Sequence, residues 1–138
     1  MTQANIEFVR RFYGRFAAGE LHTLGELLDD EFSFVPAGKN CPLAQPCRGR
    51  AEFFRFAERQ RELTGGTWMP KPYDILASDD HAAVLVAVTA SRGVIERSFR
   101  LVHVWRIRDG RGTELHSYVD DQYAYDTFFD ESDDQRPA

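Results

Sequence analysis

Sulfur is scarce in this chain, which holds two cysteines and two methionines among 138 residues. Cys41 and Cys47 share one stretch, NCPLAQPC, punctuated by Pro42 and Pro46. Their spacing allows a disulfide, but an intracellular setting favours free thiols, and zinc would want closer spacing or further ligands. Neither a metal nor a cofactor is expected. Long apolar runs are missing as well: none approaches the roughly 18 residues of a membrane span, so no membrane partner is expected. The start, MTQANIEFVRR, lacks the basic-then-apolar layout of a secretion signal, which makes the cytoplasm the expected compartment. There is no basic stripe of the kind that grips nucleic acid. Repeats and low-complexity segments are absent before the tail.

Aromatic residues, in contrast, are plentiful: eleven Phe, five Tyr and two Trp. Such a set suits a wide apolar interior or cavity. The length fits one domain that buries about two-thirds of its unfolded surface. The net charge of −5 is unevenly placed, because residues 120–138 carry seven acids against one Arg. Residues 130–138 have no apolar partner and read as a frayed acidic tail following a domain at 1–129.

Ile6, Val9, Phe12, Tyr13 and Phe16 recur at helical spacing, and Gly19 supplies a stop. Thr23 with Glu26 forms a capping-box pattern ahead of Leu24, Leu27 and Leu28, predicting a second, short helix. Phe32, Phe34 and Val35 before Pro36 suggest a short strand, with a loop over 37–48. A third helix is expected from about Arg50 to Leu63, closed by Gly65-Gly66. Strands follow at 67–78, 82–91, 95–108 and 112–125, the first marked as an edge by Pro70 and Pro72. Helices first and then a run of antiparallel strands is an α+β pattern.

The stretch LVHVWRIRDGRGTELHSYVDD carries the most chemistry. Asp109-Gly110 between alternating runs signals a hairpin, since a type I′ turn needs φ > 0 at both central residues. Pairing Arg108 with Arg111 and counting back sets His103 opposite His116, with Cβ atoms about 5 Å apart. Strand period two adds Trp105, Tyr118 and Asp120 to that face. Periodicity alone leaves its direction open, because Val102, Val104, Leu115 and Val119 make the other face apolar as well.

The order of elements, together with YGRFAAGELHTLGELLDDEF, RGRAEFFRF, RIRDGR and DDQYAYDTFF, resembles the SnoaL-like proteins of the ketosteroid isomerase and nuclear-transport-factor-2-like superfamily. The likeness spans about residues 5–129. It implies a cystatin-like α+β barrel: a cone-shaped, curved antiparallel β-sheet wrapped around three N-terminal helices, with a deep apolar pocket and homodimers. Several catalytic positions of the superfamily are changed. The isomerase general base corresponds to Val35, its first-helix tyrosine to Phe12, and its hydrogen-bond-donating acid to His103. The Arg-x-Asp feature of the epoxide hydrolases is absent, since Leu101 and Val102 follow Arg100. The last-strand acid of polyketide cyclases matches Asp120 in Tyr118-Val119-Asp120.

The match at His103 implies that His103, Trp105, His116, Tyr118 and Asp120 point into the pocket, leaving Val102 and Val104 for a dimer interface. His103 and His116 then serve as acid and base, as mutually satisfied core histidines, or as part of a metal site. Asp120, about 13 Å along the strand from His116, is too far to complete that metal site. Asp120 is either a pocket base or a solvated strand-end acid, and Tyr118 either steadies oxygen charge or is plain core. Phe12, Phe16, Val35, Trp68 and Trp105 form the expected wall. The implied activity is cofactor-independent acid–base chemistry, a cyclisation, isomerisation or dehydration, on a small apolar carbonyl or polyketide-like compound. His103 and Asp120 would move protons, with His116 orienting His103. The alternative is a non-catalytic small-molecule-binding or dimerising accessory protein of the same fold.

Overall fold

The computed structural model describes residues 2–130. Helix α1, Thr2–Ala17, buries Phe8, Val9, Phe12, Tyr13 and Phe16 along one stripe and stops before Gly19, whose φ of 76° is left-handed. Leu21–Leu27 winds as a 3₁₀ helix rather than the α-helix predicted from Thr23 and Glu26. The Thr23 hydroxyl donates to the Glu20 carbonyl at 2.8 Å, so it does not cap a helix. Strand β1, Leu28–Val35, then directs Phe32 and Phe34 inward. Inside the segment expected as loop, Cys47–Arg48 forms a two-residue strand, β2. Helix α2 covers Arg50–Leu63 as predicted.

Four longer strands follow: β3 at Lys71–Ala77, β4 at His81–Arg92, β5 at Ile95–Arg108 and β6 at Arg111–Val119. The six strands lie in the order β2-β1-β6-β5-β4-β3. All neighbours are antiparallel except β1 and β6, which run parallel. An entirely antiparallel sheet was the expectation; no hairpin links these two strands, so their directions are free to agree. On β4, buried Ala82, Val84, Val86, Val88 and Ala90 alternate with more exposed neighbours, and the buried face looks toward the core.

The last strand ends at Val119, well short of the expected Tyr125. Asp121 accepts the Ala124 N–H at 2.9 Å and caps a further helix, α3, at Gln122–Phe128. That helix brings Tyr125, Phe128 and Phe129 against Trp68 and Phe99, forming an aromatic cluster at one end of the interior. A second cluster gathers at the other end, where Phe12 meets Trp105 edge-on at 4.6 Å and Phe8 does so at 5.2 Å. Of the acidic tail, residues 131–138 lie outside the described residues. No helix among the described residues is long and apolar enough to cross a membrane.

Candidate functional site

The Asp109-Gly110 turn forms as predicted, with φ of 51° and 77° and Arg108 paired with Arg111. One step later the ladder shifts. Ile107 pairs with Gly112, but Arg106 pairs with Glu114, so Thr113 is an extra residue on β6. Gly112 makes room for this bulge: a Cβ there would lie 2.6 Å from Cζ3 of Trp105 and 3.0 Å from Cζ of Phe8. The Thr113 hydroxyl donates to the Arg106 carbonyl at 3.2 Å and ties the bulge down.

Beyond the bulge every β6 side chain is on the face opposite to expectation. His103 stands across from Ser117, and His116 across from Val104. The predicted His103–His116 contact is therefore absent. His116 lies on the outer face, 3.5 Å from Glu114, with its ring stacked near that of Tyr118. Tyr118 is 56% exposed. Asp120 is also exposed, and its carboxylate accepts the Asp121 N–H at 2.9 Å. The structure thus keeps His103 in the interior and separates it from His116, Tyr118 and Asp120.

The neighbour of His103 comes from α1 instead. Tyr13 Oη lies 2.6 Å from His103 Nδ1, and the same oxygen accepts the Trp105 Nε1–H at 3.1 Å. Indole can only donate, so it occupies a lone pair of Tyr13. The Tyr13 proton, buried with no other acceptor among the described residues, must go to His103 Nδ1. We assign His103 as the neutral Nε2–H tautomer on this network. Burial pushes its imidazole down to about 4, which keeps it neutral at physiological pH. The Tyr13 hydroxyl is pushed well above the ordinary phenol value, again by burial and against the smaller pull of Trp105.

His103 lines a cavity of about 40 Å³, enough for about three waters, and with Nδ1 held by Tyr13 its Nε2 is the ring nitrogen left for that space. Of the predicted wall, Phe12, Phe16 and Trp68 line it. Val35 does not: it is 37% exposed and pairs with His116 on the outer face, while Phe34 takes the inward position. Trp105 is fully buried behind Tyr13 and acts through that hydroxyl rather than as wall. The rings of Phe34, Phe53 and Phe56 also line the cavity, so its wall is largely aromatic.

Polar groups reach the cavity in two places. At one, His103 and Ser117 face each other across β5 and β6. At the other, Gln60 Nε2 donates to Tyr125 Oη at 3.3 Å. Among the described residues, no Asp or Glu lines the space. Residue order alone did not single out Tyr13, Ser117, Gln60 or Tyr125 as site residues. For Tyr13 a signal existed: a hydroxyl on an otherwise apolar helix face needs a buried partner.

No group of three or more His, Cys, Asp or Glu side chains among the described residues could hold a metal ion. Cys41 and Cys47 are free, and burial pushes both thiols up to about 11, so neither is a ready nucleophile.

The SnoaL-like domain model matches residues 9–115 of this sequence. No curated protein matches it. Among solved structures, Bal32a from a soil-derived mobile gene cassette is 31% identical, with a TM-score of 0.87 over 93% of this chain and 98% of that one. A Xanthomonas campestris protein of unknown function with a cystatin-like fold superposes at 0.83, with 21% identity over 91% and 97%. TerC, co-crystallised with polyporic acid, superposes at 0.78, with 18% identity over 91% and 98%. The last two likenesses concern the fold.

Proposed function

This chain belongs to the SnoaL-like domain family, and on that premise we propose that it takes a small, largely apolar carbonyl compound into the cavity and activates it by acid–base chemistry without a cofactor. The observation that carries this reading is the relay from Trp105 through Tyr13 to His103, which ends in a neutral N–H facing an aromatic space. A carbonyl oxygen placed there accepts from His103 Nε2–H and from the Ser117 hydroxyl. Among the described residues no carboxylate lines the space, so a solvent water takes the α-proton; as it leaves, negative charge gathers on that oxygen, and the fixed donors hold it without reorganising.

His103 donates the hydrogen bond but keeps its proton. Passing the proton on would have to draw the Tyr13 proton through Nδ1 and leave a buried tyrosinate, which the raised Tyr13 pKa opposes. The opposite tautomer, with Nε2 as base, would strand the buried Tyr13 proton at a cost of about 1–3 kcal/mol. Enolisation is the step common to the cyclisation, isomerisation and dehydration reactions considered for this sequence.

Acetophenone in D₂O tests the proposal. Deuterium should enter its methyl group faster with the protein than without, and His103→Gln should remove most of the acceleration. Binding without exchange would favour the second reading, a non-catalytic carrier of the same compound. That reading draws support from the absence of any carboxylate among the described residues that line the cavity. For the outer face of β5 and β6, where Val102 and Val104 sit beside half-exposed Tyr118, the proposed partner is a second copy of the chain.

A further inference from the structure

The second polar place in the cavity has no part in carbonyl activation, yet it is built with care. Gln60 and Tyr125 are 5% and 2% exposed, and both line the same space as His103. Gln60 spends one of its two amide N–H groups on the tyrosine oxygen. That leaves Gln60 Oε1 as an acceptor and the Tyr125 O–H as a donor, neither with a partner among the described residues. Both residues line the cavity, so a ligand there can partner these groups. A ligand hydroxyl satisfies both at once, donating to Gln60 and accepting from Tyr125. At the His103 end only donors are certain, and a carbonyl oxygen satisfies them.

The spacing of the two ends follows from the strand. Phe99 and His103 share a face of β5 and lie four residues apart, about 13 Å along it. The Tyr125 ring sits 5.6 Å from that of Phe99. Leu101, midway between, lines the cavity. A benzene ring bearing a carbonyl and a para hydroxyl has about 6 Å between its oxygens, and a hydrogen bond of about 2.8 Å at each end extends this to roughly 12 Å. The cavity has room for about three waters, so it admits a single ring and not two.

We propose that the cavity is a two-ended site for a flat, single-ring phenolic carbonyl compound, with the carbonyl held by His103 and Ser117 and the hydroxyl by Gln60 and Tyr125. The proposal rests on the carbonyl reading of the His103 end and adds the opposite end. It also explains the intervening aromatic walls, which offer faces and edges to a ring and no charge to a side group.

Calorimetric titration with 4-hydroxyacetophenone and acetophenone tests it on the intact chain. The hydroxylated ketone should bind about tenfold more tightly, the net worth of its two hydrogen bonds after the phenol leaves water. Tyr125→Phe and Gln60→Leu should each reduce that preference and leave acetophenone affinity within about twofold, whereas Ser117→Ala should weaken both ketones alike. Equal affinity of the two ketones for the unaltered protein, no binding by either, or an intact preference in both Gln60→Leu and Tyr125→Phe would overturn the two-ended site. If the unaltered protein shows no preference while Ser117→Ala still weakens both, the His103 end stands and only the second end falls. If Ser117→Ala and His103→Gln leave both affinities unchanged, the carbonyl reading of the first end falls, and the paired assignment with it.

Discussion

Tyr13 Oη and His103 Nδ1, ninety residues apart in the chain, lie 2.6 Å from each other in the interior. The contact joins the first helix to the middle of the sheet and sets which imidazole nitrogen faces the cavity. Its removal should be costly. In Tyr13→Phe the Trp105 Nε1–H loses its acceptor while staying buried, so we expect a loss of about 1–3 kcal/mol, read from urea unfolding midpoints. The His103 Nε2–H preference should also collapse, because nothing then donates to Nδ1.

Acid should loosen the fold through the same histidine. His103 titrates at about 4 when folded and near 6.5 when unfolded, so between these values the unfolded chain binds more protons. Its contribution is complete above pH 6.5 and falls progressively down to pH 4, by at most about 3 kcal/mol. His103→Leu should flatten that part of the stability–pH profile. An unchanged slope between pH 6.5 and 4 would mean that His103 is not a buried neutral group.

Gly112→Ala should damage the hairpin despite its small size. The new methyl would meet Cζ3 of Trp105 at 2.6 Å and Cζ of Phe8 at 3.0 Å, and both rings are locked in the core. We expect about 1–3 kcal/mol of destabilisation from overpacking, measurable by chemical denaturation. Gly110, with nothing near its missing Cβ, would report only backbone strain if substituted.

The order of elements and the hairpin turn were legible in the sequence because they depend on local rules: helical spacing in α1, Asp-Gly at the turn, alternation along β4. On β5, His103 lines the cavity as the resemblance implied, whereas Trp105, expected in the wall, lies behind Tyr13. The β6 half of the site was not legible, since counting pairs across a hairpin assumes an unbroken ladder. One extra residue, Thr113, inverts every later side chain and sends His116, Tyr118 and Asp120 outward. Gly112 was the available warning, a glycine inside a strand being a common sign of a bulge. The end of β6 differs from its expected position for another reason: Tyr123 and Tyr125 have strand propensity, but the Asp121 cap overrides it. Tyr125 thereby reaches the cavity from a helix.

The outer face makes a separate prediction about assembly. If Val102, Val104 and Tyr118 cover a second copy, the chain should sediment as a dimer at tens of micromolar. Val104→Asp should then shift it to monomer by weakening association more than about tenfold, since a charge desolvated in an apolar interface lacks a partner. A monomer in the unaltered protein would remove this proposal without touching the cavity.

The protonation state of His103 bears most directly on the proposed chemistry, and ¹⁵N-edited NMR of the histidine side chains reads it. We expect the His103 ring to be neutral, with its proton on Nε2, and to remain so as the pH falls until about 4. A proton on Nδ1 in the neutral form, or titration near 6.5, would contradict the assignment of His103 as the buried donor at the end of the Trp105–Tyr13 relay.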